Sequence, residues 1–136
     1  MTGNISAKAD KAAPGDFSVS VQQASLLAKQ GDLPKARALI QALPASSVDE
    51  QQRKLLADAQ LLKDAKQFDE AAKVTGKAVE LTPDDNDLLY EQAMLSEKAG
   101  NIPDMERLLR QIIERQPNYH HARNALGYSF AERGVN

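Results

Sequence analysis

Residues 66–85, KQFDEAAKVTGKAVELTPDD, carry the pattern from which the rest of the chain can be read. Phe68, Ala71, Ala72, Val74, Ala78 and Val79 recur every three or four positions, the spacing of one face of an α-helix. Pro83 ends that helix, because proline lacks an N–H and restricts the residue before it. Pro117 stands 34 residues beyond Pro83, and Gly134 stands 34 residues beyond Gly100. One period before Gly100 is Lys66, and Gly31 lies 35 residues before that. A fixed period of this length, with two helix-length segments in each unit, implies an array of helical hairpins.

The spacing predicts helices over about 17–30, 33–43, 48–65, 68–81, 85–99, 102–115 and 119–133. The second has Leu33, Ala36, Leu39, Ile40 and Leu43 on one face, and the sixth has Ile102, Met105, Leu108, Leu109, Ile112 and Ile113. Ser47 with Glu50 has the form of a capping box. Asp32 and Asn101 suit N-caps, each followed by a proline (Pro34, Pro103) that the first turn tolerates. Glycine at Gly31, Gly100 and Gly134 fits a helix C-terminus in the left-handed conformation. Lys66, at the equivalent place, needs either strain or a different turn. The connections are short, so neighbouring helices run antiparallel. The expected fold is all-α, with about seven helices and no strand.

At 136 residues the chain is the size of one domain. Seventeen basic and nineteen acidic residues leave a net charge of -2, which offers no strong attraction to nucleic acid or an anionic membrane. There is no cysteine, hence no disulfide, thiolate chemistry or cysteine-bound zinc. The opening MTGNISAKADKAAPG reads as a small-residue linker, so residues 1–16 are set apart from a helical domain over 17–136. That domain divides into repeats of about 17–50, 52–85 and 86–119, with a half repeat over 120–136.

These stretches resemble tetratricopeptide repeats. KQFDEAAKVTGKAVELTPDD is similar to the second helix and terminal proline of such a repeat, and NALGYSFAERG (124–134) is similar to a first helix. The small residues that the family keeps where its two helices cross are here Ala24, Ala36, Ala59, Ala71, Ala93 and Gly127. The resemblance covers about 17–136 and implies a right-handed superhelix of antiparallel pairs. It also has departures. The family's bulky aromatic early in the first helix is Ser20, Leu55, Leu89 and Arg123, and its leucine three residues on is Gln23, Asp58 and Gln92. Met105 stands where a small residue is usual. Gly76 inside a helix costs about 0.5–1 kcal/mol relative to alanine.

The resemblance implies a non-catalytic adaptor that binds a peptide or partner protein. In the family's register the concave face holds Val21, Ser25, Leu56, Gln60, Tyr90, Met94, His121, Asn124 and Tyr128. Tyrosine offers a rigid surface with a polar tip, and methionine adapts to irregular shapes. The Lys/Asn/Arg clamp by which some members bind chaperone tails is not expected, because its positions hold Val21, Ser25, Ala57, Asp87 and Glu91. DLLYEQAMLSEKAG (87–100) and MERLLRQIIERQPNYHHARNALGYSFAERG (105–134) are similar to long proteobacterial proteins of this family. That implies a periplasmic or outer-membrane-associated location, with the cytoplasm as the alternative. Two other functions stay open, a nucleic-acid-binding helical repeat and a regulatory arm of a multidomain enzyme or thioredoxin-like chaperone. ASLLAKQGDLPKARALIQALP (24–44) is somewhat similar to arms of the latter kind.

No metal or cofactor site is expected. His120 and His121 are neighbours about 100° apart on a helix and cannot easily chelate one ion. Asp84, Asp85 and Asp87 lack the glycine and terminal glutamate of a calcium loop and suit the positive end of a helix dipole. No phosphate-binding loop or nucleophile elbow is present. The chain ends where a second helix of the last repeat would begin, so a fragment of a longer protein is expected. Leu126 and Phe130 would then be exposed and could promote self-association.

Overall fold

A computed structural model of the chain describes residues 14–134. These residues form seven helices and no strand: α1 (Pro14–Lys29), α2 (Leu33–Gln41), α3 (Val48–Asp64), α4 (Phe68–Leu81), α5 (Asn86–Lys98), α6 (Ile102–Arg115) and α7 (His120–Glu132). All seven expected helices are present, and the bounds of α4 and α6 are as expected. α1 starts three residues early, with Pro14 in a first turn where its missing N–H costs nothing. Residues 14–16 of the expected linker are therefore helical, and residues 1–13 lie outside the described residues. α2 is shorter than expected and ends at Gln41.

The turns repeat as the sequence spacing requires. Gly31, Gly100 and Gly134 have φ of 97°, 83° and 71°, and Lys66 joins them at 62°. Each donates its N–H to the carbonyl three residues back, from Lys66 to Lys63 at 2.9 Å and from Gly100 to Glu97 at 2.9 Å. Lys66 therefore makes the same turn as the glycines and accepts the strain of a β-carbon in the left-handed region.

The N-caps also form. Asp32, Ser47, Asp85 and Asn101 each accept from a backbone N–H three residues on. Glu50 reaches one residue further than the usual capping box. Its Oε1 accepts from the Ser46 N–H at 2.7 Å and the Ser46 hydroxyl at 3.0 Å, one residue ahead of the cap. These bonds hold the Glu50 carboxyl below its ordinary range.

The chain divides into two compact units, with the boundary between Lys66 and Gln67. Helical repeats contact mainly their sequence neighbours, so a division falls naturally at a turn. It lies inside the expected second repeat. In the first unit Ala24, Ala36, Ile40 and Leu61 form the core, flanked by Val21, Leu27, Leu33, Leu39 and Leu43. Lys54 of α3 donates to the carbonyls of Gln41 and Leu43 at 3.0 and 2.6 Å, which satisfies the end of the short α2.

In the second unit α4 packs on α5, α5 on α6 and α6 on α7. Val79, Leu89, Ala93, Met105, Leu108, Leu109, Ile112 and Ala122 form its core. Met105 is fully buried in this cluster with Ala93 and Ala122, so two alanines make room for the large residue at an expected small position. Gly76 has a local purpose, because a β-carbon there would stand 2.9 Å from Gln92 Nε2. Gln92 thus occupies its leucine-like position by lying over a helix that lacks a side chain. A β-carbon at Gly127 would meet nothing within 4 Å.

Candidate functional site

The site lies in the second unit and is built from the facing sides of α5 and α7. On α5, Tyr90, Met94 and Glu97 follow helical spacing, and on α7 so do His121, Asn124, Ala125 and Tyr128. With Met105 of α6 they line one groove of about 380 Å³. α6 packs against both α5 and α7, and Tyr90 of α5 faces His121 of α7 across the groove. Tyr128 is 64% exposed, one of few large hydrophobic side chains left so open.

One end of the groove is an aromatic cluster. The Tyr90 ring centroid lies 5.8 Å from that of Tyr119 and 6.0 Å from that of His121. Tyr119 and His121 meet edge to face at 6.3 Å. The Tyr119 hydroxyl donates to Asp87 Oδ1 at 2.6 Å. Burial, and then this bond to a carboxylate, push the Tyr119 phenol up to about 12. Beside it Arg115 donates to the Pro83 carbonyl at 2.6 Å and Asn86 donates to Gln116 at 3.1 Å. These bonds join the start of α5 and the loop before it to the end of α6 and the loop before α7. Tyr119, Glu97 and Met105 were not among the expected site residues. Tyr119 precedes α7, outside the first-helix register, and the other two become visible only once the helices are packed.

No protein-family model matches the chain. It is 31% identical over 113 residues to the TPR repeat-containing protein PA4667 of Pseudomonas aeruginosa, a match covering 83% of this chain and 19% of that protein. The chain thus spans about a fifth of the length of this relative. The relative agrees with the seven helices and with the four left-handed turns spaced at 34 or 35 residues. The chain is thus similar to a tetratricopeptide-repeat protein over most of its own length, and its seven helices fit that fold. Such repeats serve protein interaction in general and are generally non-catalytic.

The tetratricopeptide register brings five of the expected residues together: Tyr90, Met94, His121, Asn124 and Tyr128. Val21, Leu56 and Gln60 belong to the first unit. Val21 packs against the core around Ala24, Leu56 is half-buried, and the exposed Gln60 donates to Asp64 at 2.9 Å within its own helix. The small crossing residues Ala24, Ala36, Ala59, Ala71 and Ala93 are all buried, whereas Gly127 is exposed.

Leu126 and Phe130 are not exposed as expected. Leu126 packs against the core of its unit. Phe130 is half-buried, with the guanidinium groups of Arg110 and Arg133 at 5.3 and 5.7 Å from its ring centroid. Arginine stems can cover an aromatic face while the charges stay in water. Glu106 holds Arg133 in place and accepts from the Ser129 hydroxyl at 3.0 Å. Among the described residues no group of three or more His, Cys, Asp or Glu is arranged to hold a metal, and no helix is long and apolar enough to cross a membrane.

Proposed function

We propose that this chain is a non-catalytic recognition module that holds a segment of a partner protein in the groove between α5 and α7. The observation that carries this reading is the convergence of Tyr90, Met94, His121, Asn124 and Tyr128 on one open groove. Tyrosine and methionine supply contact area that adapts to an extended or helical segment, and the Asn124 amide can bond a main chain. The bonds between the start of α5 and the α6–α7 connection hold that end of the groove in place, so little ordering is needed there on binding. The groove carries no lysine or arginine. A nucleic-acid backbone, which needs cations along its path, is therefore a poor occupant.

Affinity capture with the chain and with its Tyr90→Ala and Tyr128→Ala variants tests this reading. Proteins held by the parent chain should be lost from both variants and kept by a Lys73→Ala control on the exposed face of α4. If both tyrosine variants retain every captured protein, the groove is not the binding surface.

A further inference from the structure

The groove has a chemical polarity that narrows its occupant. Glu97 is the one acidic residue among its lining side chains, and no lysine or arginine accompanies it. Among the described residues, no side chain donates a hydrogen bond to the Glu97 carboxylate. The neighbouring cations point elsewhere. Lys98 lies 5.7 Å from the Phe68 ring centroid, and Arg123 donates to the Pro117 carbonyl at 3.1 Å. On α5, Met94 stands one turn and Tyr90 two turns before Glu97, Tyr128 lines the groove from α7, and the Tyr90 ring is steadied by Tyr119 and His121. Tyrosine rings and an unpaired carboxylate lining one groove form an arrangement that attracts a cation. A planar guanidinium suits it better than an ammonium, because it stacks on a ring while its N–H fork faces the acid. The groove's 380 Å³ has room for one long side chain and a short length of backbone.

We infer that the groove selects a partner segment presenting an arginine, whose guanidinium pairs with Glu97 while the rest of the segment lies along Met94 and the tyrosines. This rests on the groove being the binding surface. It adds that charge complementarity sets the occupant.

The test uses the full chain with three pools of acetylated nonapeptides. Their central residue is fixed as arginine, citrulline or glutamate, and their flanks are randomised. Citrulline keeps the shape of arginine and removes the charge. The arginine pool should shift the NMR resonances of Tyr90, Glu97, Asn124 and Tyr128, with a midpoint about tenfold below that of the citrulline pool. Glu97→Gln should shrink the difference to the few-fold that the rings alone supply, and Glu97→Lys should transfer the preference to the glutamate pool. Equal midpoints for arginine and citrulline, or an unchanged preference in Glu97→Gln, overturn the inference. If the citrulline pool still moves the groove resonances in that case, the groove survives as the binding surface without arginine selection. If no pool moves them, both readings fall.

Discussion

Arg37 grips both carboxylate oxygens of Asp58, with Nε on Oδ1 at 2.8 Å and Nη2 on Oδ2 at 3.0 Å. Asp58 is only 5% exposed and stands where the family usually has a leucine. A buried charge there is tolerable because α2 supplies a planar partner to α3. Removing that partner should cost more than removing the pair. Arg37→Met should destabilise the chain by about 2–3 kcal/mol, below the full value for a buried pair because the arginine side chain is 27% exposed. Arg37→Met combined with Asp58→Leu should return to within about 1 kcal/mol of the parent. Urea unfolding followed by circular dichroism measures both. A double variant as unstable as the single would mean that the pair has a structural role beyond satisfying its own charges.

Lys66 shares its turn with three glycines at a φ of 62°. Its side chain is exposed, so nothing in the packing rewards the strain. Lys66→Gly should therefore stabilise the chain by about 1 kcal/mol, less the entropy that glycine adds to the unfolded state. A β-branched residue there should be destabilising. A Lys66→Gly variant with an unchanged urea midpoint would show that the left-handed turn costs lysine little here.

Two glycines inside helices should respond differently to alanine. At Gly127 a β-carbon meets nothing within 4 Å, so Gly127→Ala should gain about 0.5–1 kcal/mol from helix propensity alone. At Gly76 it would press on Gln92 Nε2. The amide must swing aside, and Gly76→Ala should gain less. Equal gains at the two sites would mean that Gln92 does not rest on Gly76 in solution.

Much of this was legible in the sequence because it rests on local rules. The period of Pro83, Pro117, Gly100 and Gly134 reports turns, and the stripes in α4 and α6 report buried faces. The groove was legible in part. Tyr90, Met94, His121, Asn124 and Tyr128 follow from the register of first helices. Glu97 and Met105 enter only once packing decides which side chains line the gap. Asp58 was readable as a departure but not as a paired ion, because its partner is 21 residues away on another helix. Leu126 and Phe130 looked uncovered because an apolar stripe signals a need for cover without showing what provides it. Arginine stems and the core of α6 supply it.

Thr75 is 1% exposed, and its hydroxyl has no hydrogen-bond partner. Burying that group unsatisfied costs about 1–3 kcal/mol. Valine keeps the branched shape and removes the hydroxyl, so Thr75→Val should stabilise the chain by about 1 kcal/mol. The urea midpoint should rise with an unchanged slope. A fall would mean that the hydroxyl finds a partner in solution, such as an ordered water.

Tyr119 makes one edge of the groove sensitive to alkali. Its phenol is pushed up to about 12 by burial and by the bond to Asp87, against an ordinary value near 10. A raised folded-state value means that the folded chain holds this proton more tightly than the unfolded one. The associated stability is fully present below pH of about 10 and is lost as pH rises towards about 12. Phenolate absorbance should show a late-titrating component from Tyr119. That late component should vanish in Tyr119→Phe. In Asp87→Asn it should move down, because a carboxylate that disfavours the phenolate has been removed, yet stay above the ordinary value because burial remains. If Asp87→Asn leaves the late component in place, burial alone sets it and the Tyr119–Asp87 bond contributes little to holding the groove walls.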